Sequence, residues 1–168
     1  MERADSIYEE YKIARDAIQL TKACIISCQA EQLADFDAKT ECTLPTKLLK
    51  KYNRISDNEI HGYVKAEISV VSRLEDKEIA KLMVECKGVF NVIKSGLEKE
   101  EEEKRVNLQM VPQLLPYIRS SLTNLSSMMS IPPITLPTID VIKSIQKNPI
   151  TPLGRQTKNY PWEHVFLY

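Results

Sequence analysis

Three segments in the first half of the chain alternate apolar and polar side chains with a period of two: residues 36–44, 61–73 and 79–93. Because successive side chains of a strand point to opposite faces of a sheet, this pattern predicts strands with one buried face. Residues 21–29 are rich in β-branched side chains and cysteine, which predicts a further strand before these three. Residues 44–53 stay ambiguous between strand and helical turn.

The apolar positions of each predicted strand define a candidate core. They are Phe36, Ala38, Thr40, Cys42 and Leu44 in the first segment, Val64, Ala66, Ile68 and Val70 in the second, and Leu82, Val84, Cys86, Gly88, Phe90 and Val92 in the third. A glycine inside such a face predicts a bulge or a close approach of backbone.

Apolar residues at three- and four-residue spacing replace the alternation on either side of these strands. Residues 3–20 predict a short amphipathic helix that lies on the body of the protein or on a partner. The charged run 98–105 predicts a solvated helix start or loop, since acidic side chains suit a helix N-terminus. A helix should follow to about Ser130, with an apolar stripe of Met110, Leu114, Tyr117, Ile118, Leu122, Leu125 and Met129.

Prolines interrupt this second half. Pro112 fits the first turn of a helix, and Pro116, one turn later, predicts a kink or a restart. Residues 131–138 predict a stiff extended crossover, and residues 138–147 a second short helix. The order of elements indicates an α+β fold: a four-stranded antiparallel sheet with two C-terminal helices on one face and a short N-terminal helix.

Charge and composition exclude several functions. Lys and Arg together number 23, as do Asp and Glu, so no basic field favours nucleic acid. No apolar run approaches the roughly 20 residues of a membrane span, and the charged N-terminus does not resemble a signal peptide. The four cysteines, at 24, 28, 42 and 86, fit reduced side chains in the strands of a cytoplasmic protein.

The sequence offers little material for catalysis. Its two histidines are His61 and His164, and its four glycines do not cluster into a phosphate-binding loop. We therefore expect no enzyme activity, no metal site and no cofactor. Ser126, Ser127 and Ser130 lie in an apolar helix and are interpreted as small packing residues.

The stretch from Val106 to Ile139 has a different composition. It holds five of the nine prolines and one charged side chain, Arg119. A helix and crossover this apolar must be covered by a core, a second subunit or a bound polypeptide, and a partner surface is favoured for the stretch as a whole.

The same stretch resembles the C-terminal half of the SecB export chaperones. Pro112, Pro116, Tyr117, Arg119, Pro132 and Leu136 carry the resemblance, together with the strand ending Gly88–Val92. It covers roughly residues 20–147, so we expect three segments: residues 1–20, a SecB-like domain over 21–147, and an aromatic tail over 148–168.

The resemblance implies a cytoplasmic homotetramer, a dimer of dimers, that holds unfolded polypeptide without a cofactor. Export-type members deliver such clients to SecA. This chain departs from them because it is neutral, has Met83 where they carry an acidic residue, and ends in aromatics. It looks closer to SecB-like chaperones of toxin–antitoxin–chaperone modules, some active in phage defence. An antitoxin is then the expected client, with SecA delivery or a non-chaperone scaffold as alternatives.

Two groups of residues are candidates for this function. The predicted client contacts are Phe90, Val92, Met128, Met129, Ile131, Ile134 and Leu136, for which packing in the core is the alternative. Pro112, Pro116, Tyr117, Arg119 and Pro132 are expected to be structural. The tail either docks on its own groove or on a partner, or it packs on the surface or is poorly ordered.

Overall fold

Strands of one antiparallel sheet and a long helix account for most of the described chain. The computed structural model describes residues 9, 17–35, 40–93, 97–134 and 136, and the backbone of residues 163–165. The strands are β1 (Ile18–Gln32), β2 (Cys42–Thr43), β3 (Thr46–Arg54), β4 (Glu59–Ser72), β5 (Glu78–Val92) and β6 (Glu163–Val165), and the helix is α1 (Lys99–Met128). The strand order is β1-β5-β4-β3-β6, and β2 also pairs with β4.

The alternation of the two central strands decides which face of the sheet is buried. On β4 and β5 every second residue is inaccessible, and these positions pair across the strands, as Val64 with Cys86 and Ala66 with Val84. Helix α1 packs on this face through Val106, Met110, Leu114, Ile118 and Leu122, which are all fully buried. The predicted buried faces of β4 and β5 are therefore confirmed.

The α+β class and the antiparallel sheet are confirmed, but the number of strands is not. Within the described residues the sheet has six strands, because the ambiguous segment forms β3 and two short strands, β2 and β6, join it. Strand β1 also begins at Ile18, inside the segment predicted as an N-terminal helix. Leu44 was expected on a buried face but is 42% exposed, since β2 ends at Thr43.

The long helix begins earlier than its prolines suggest. It starts at Lys99, with Glu100, Glu101 and Glu102 in its first turn, where acidic side chains favour the helix dipole. Pro112 is therefore well inside the helix and not in its first turn, and the helix continues through Pro116 without a restart. Packing of the neighbouring apolar residues against the sheet offsets the hydrogen bonds that these prolines cannot donate.

Two predicted elements lie largely or wholly outside the described residues. They are the N-terminal helix before residue 17 and the second C-terminal helix at residues 138–147. Three residues of the segment predicted as a tail belong to the sheet, since β6 pairs antiparallel with β3.

Candidate functional site

The junction between α1 and the crossover is built on a left-handed residue. Ser130 has a φ of 56°, which reverses the chain after the helix. The Ser130 amide donates to the carbonyl of Ser127 at 3.1 Å, and the Ile131 amide donates to the carbonyl of Ser126 at 3.0 Å. This pair of bonds is a Schellman motif, which satisfies carbonyls that the helix end would otherwise leave without donors.

Ser126 holds the crossover a second time, through its side chain. Its hydroxyl is fully buried, donates to the carbonyl of Thr123 at 3.0 Å and accepts the Ile134 amide at 3.1 Å. Because Pro132 and Pro133 have no N–H, the Ile131 and Ile134 amides are successive donors along the crossover, and both reach Ser126. Ser126 was expected to be a small packing residue, and the sequence gives no signal of this hydrogen-bonding role.

The predicted client contacts divide into buried and accessible residues. Phe90, Val92, Ile131, Ile134 and Leu136 are buried and belong to the core cluster of the chain. Met129 is partly buried against that cluster, whereas Met128 is 83% exposed at the end of α1. In this conformation Met128 is the predicted contact most accessible to a polypeptide, and client contact by the whole set stays a prediction.

Phe90 is buried because two glycines leave space beside it. Gly62 and Gly88 are cross-strand neighbours on the face beneath α1. A Cβ atom at Gly88 would lie 2.8 Å from Leu114 Cδ2 and 2.9 Å from both Leu20 Cδ1 and Phe90 Cε2. The close approach predicted at Gly88 is present, but the atoms that approach it belong to side chains and not to the backbone. The bulge nearby is in β1, where the register shifts between Leu20 and Lys22.

The residues predicted to be structural lie along α1 and at the start of the crossover. Tyr117, Pro116 and Pro132 are exposed, while Pro112 and Arg119 are half-buried. The backbone carbonyl of Arg119 accepts the hydroxyl of Thr123 at 3.0 Å. Their structural roles stay a prediction.

A charged cluster fixes the first turn of α1 to the end of β3. Arg54 donates to Glu102 at 2.8 Å and to Glu103 at 2.9 Å, and the side chains are 14%, 7% and 16% exposed. Burial opposes the charge on Arg54, but hydrogen bonds and attraction to Glu103 and Glu102 outweigh it and raise its pKa. The cluster therefore orients α1 across the sheet.

The edge of the sheet beside β3 accepts an extended segment. Strand β6 pairs there in antiparallel register, with Leu48 opposite Val165, Leu49 opposite His164 and Lys50 opposite Glu163. Strand β3 carries Lys47, Lys50 and Lys51 in addition to Arg54, which is paired with Glu102 and Glu103, so this edge is basic in a chain of zero net charge.

The described residues contain neither a cluster of metal ligands nor a helix suited to crossing a membrane. Nowhere among them do three His, Cys, Asp or Glu side chains come close enough together to hold a metal ion. The helical part of the described chain is not long and apolar enough to cross a membrane.

Comparison with known structures defines the class of fold. The structure superposes on the SecB-like chaperone Rv1957 of Mycobacterium tuberculosis, solved in complex with a ChAD peptide from the antitoxin HigA1, with a TM-score of 0.69. The match covers 79% of this chain and 97% of that one at 15% sequence identity. The chain therefore has a SecB-like fold, as its sequence resemblance predicted.

Sequence similarity to a curated protein covers a smaller part of the chain than this structural match. An uncharacterised protein, MJ0357 of Methanocaldococcus jannaschii, is 30% identical over 95 residues, which are 54% of this chain and 57% of that protein. This chain thus spans little more than half the length of its curated relative. A Streptococcus agalactiae protein of unknown function matches with a TM-score of 0.42 at 8% identity. No family model matches the sequence.

Proposed function

We propose that this protein is a holdase chaperone that binds unfolded or aggregation-prone polypeptide and catalyses no reaction. The observation that carries the proposal is the SecB-like fold, which matches nearly the whole chain of a chaperone solved with a bound antitoxin peptide. The arrangement at the end of α1 is consistent with such a role, since a holdase must offer apolar surface without aggregating itself.

The junction between α1 and the crossover is the proposed first contact for a client. Met128 is exposed there, and its flexible thioether side chain adapts to varied apolar partners. Pro132 and Pro133 are exposed beside it and have no N–H, which limits strand pairing between chaperone molecules. Ile131, Ile134 and Leu136 would contact a client only if the crossover moves away from the core.

We propose an antitoxin as the client, in a cytoplasmic toxin–antitoxin–chaperone module. The zero net charge and Met83 on β5 depart from the acidic export type. If the gene neighbours a toxin–antitoxin pair, coexpression should keep that antitoxin soluble and relieve growth inhibition by the toxin. Equal solubility of the antitoxin with and without this protein would argue against that client.

We also propose that the chain divides into residues 1–20, a SecB-like domain over 21–147 and a tail over 148–168. We propose that it assembles as a dimer of dimers. Strand β1 is an edge of the sheet in the described chain, and Ile26 and Leu33 on or beside it are exposed. Exposed apolar side chains at a sheet edge favour a subunit contact. Light scattering coupled to size-exclusion chromatography should give about four times the 19.3 kDa chain mass.

Suppression of aggregation tests the chaperone function itself. Insulin B chain aggregates when insulin is reduced, and its light scattering should fall in proportion to the amount of this protein added. Serum albumin at the same concentration serves as the control. Unchanged scattering at molar excess would reject the holdase and leave the oligomeric scaffold.

A further inference from the structure

The β3 edge of the sheet is occupied by a segment distant in sequence. Without β6, β3 would be an edge strand in the described part of the chain, with backbone N–H and C=O groups available to another strand. Residues 137–162, a connection of 26 residues, separate the described crossover from β6. A connection of this length is long enough to let β6 lie elsewhere. The pairing therefore indicates that the edge itself favours an extended segment.

The side chains of β3 explain why this edge binds an extended segment. Leu48 pairs with Ala66 and so points toward α1, whereas Leu49 pairs with Lys65 and points to the opposite face. Leu49 is nevertheless 8% exposed, although it lies outside the core cluster beneath α1. It is buried at the register position of His164, so the edge offers apolar surface on both faces where β6 docks.

Charge along the edge adds a preference for sequence. Lys47 and Lys51 flank the three residues of β3 that pair with β6, and Glu163 occupies the register position opposite Lys50. Opposite charges on directly paired residues favour an antiparallel pair. An acidic residue followed two positions later by an apolar one, as in Glu163-His164-Val165, is the pattern that this edge should select.

We propose that the β3 edge binds extended client polypeptide by antiparallel strand addition, and that the C-terminal segment competes with the client for this edge. The proposal rests on the proposed function and names the binding mode. Strand addition uses backbone hydrogen bonds for affinity and side-chain positions for selectivity, which suits a binder of unfolded chains. Three paired residues form a short strand, so the segment is readily displaced.

Hydrogen–deuterium exchange on the intact protein tests the displacement. The probe is reduced, carboxymethylated α-lactalbumin, which is permanently unfolded and soluble. On binding, amides of residues 163–165 should lose protection, while those of residues 46–50 stay protected because the client replaces β6. Retained protection at 163–165, or lost protection at both segments, would overturn strand addition at this edge.

Proline substitution tests the competition. Adjacent amides in a strand point to opposite sides, so one of His164 and Val165 directs its N–H toward β3. The double variant His164→Pro/Val165→Pro should bind carboxymethylated α-lactalbumin about three- to tenfold more tightly, because the edge is no longer occupied for most of the time. The matched control Gln156→Pro/Thr157→Pro changes the same segment outside β6 and should bind like the parent protein.

Deletion of residues 155–168 should also raise the affinity for carboxymethylated α-lactalbumin, as the double proline substitution should. Unchanged affinity in both would overturn the competition. If the parent protein still suppresses insulin aggregation, the proposed function survives that result. If it suppresses none, the function itself fails. Loss of dimers on proline substitution would show that β6 pairs between two copies, which would overturn the intramolecular competition.

Discussion

The pair formed by Gly62 and Gly88 permits the close packing of Phe90 beneath α1. A methyl group at Gly88 would come within 2.9 Å of the buried side chains of Leu114 and Phe90 and of the partly buried Leu20. Gly88→Ala should therefore lower the free energy of unfolding by about 1–3 kcal/mol, the usual cost of overpacking a core. Urea denaturation measures this loss. In a Phe90→Leu background the same substitution should cost less, because the ring that it meets is gone, and an undiminished cost would contradict this packing.

Cys86 makes stability depend on pH in the alkaline range. Burial raises the pKa of its thiol to about 11 from the usual value of 9.0. Between these values the folded protein retains a proton that the unfolded chain releases, so stability is full below pH 9 and falls as pH rises. Between pH 8.5 and 10.5 the loss should be on the order of 1–2 kcal/mol, because one pKa unit corresponds to about 1.4 kcal/mol and pH 10.5 is still below the pKa of the folded state.

Urea denaturation at pH 8.5 and 10.5 checks the contribution of Cys86. Cys86→Ala should reduce the difference in stability between the two values, whereas Cys28→Ala, at an exposed position, should reduce it less. An equal pH dependence in the parent and in Cys86→Ala would show that other groups cause it.

At the scale of the element, Ser126 and Ser127 allow the stability contributed by the junction to be distinguished from that contributed by the helix. The hydroxyls of Ser126 and Ser127 both donate to the carbonyl of Thr123, but only that of Ser126 also accepts the Ile134 amide. Ser126→Ala should cost about 1–3 kcal/mol, because it leaves a buried N–H without its acceptor. Ser127→Ala, at an exposed position, should change stability by less than about 0.5 kcal/mol.

Thermal unfolding of the two serine variants gives the comparison, and hydrogen exchange at Ile134 gives its cause. Faster exchange should appear in Ser126→Ala alone. Equal losses of stability in both variants would show that the bond to Thr123, and not the crossover, accounts for the effect.

Strand β1 shows why an element can be recognised while its boundary is missed. Two register shifts interrupt it, so its apolar residues on the α1 side of the sheet, Ile18, Leu20, Ala23 and Ile25, do not alternate regularly. The predicted helix included residues 18–20 because Ile18 continues the three- and four-residue spacing of Ile7, Tyr11 and Ala14, which is typical of a helix. On β4 the alternation is regular, and the prediction succeeded there.

At the scale of the whole molecule, the sequence could predict the features that arise from residues close together in the chain, and not those that depend on residues far apart. Alternation on β4 and β5 and the stripe on α1 are local patterns, so the sheet and the helix that covers it were predictable. The pairing of β6 with β3 joins residues more than a hundred positions apart and has no local signal. Likewise, nothing in the sequence distinguishes the hydroxyl of Ser126 from that of Ser127.

The exposed apolar residues of the molecule allow a matched test of the client surface. Met128, at the end of α1, and Leu74, in the turn between β4 and β5, are 83% and 88% exposed. Met128→Asp should weaken binding of carboxymethylated α-lactalbumin several-fold, because a charge would have to be desolvated at the contact. Leu74→Asp should not. Both variants should keep the parent melting temperature, and equal affinities measured by fluorescence anisotropy would remove Met128 from the client surface.

The two prolines within α1 have a consequence for how the protein folds. Each removes a backbone donor, so the helical ladder offers no partner to the carbonyls of Leu108 and Pro112, and each costs about 3 kcal/mol in an isolated helix. A synthetic peptide of residues 99–128 should show little helix by circular dichroism, whereas Pro112→Ala/Pro116→Ala should restore it. We therefore expect α1 to form late, after β4 and β5 provide a surface: the sheet is the template for the helix.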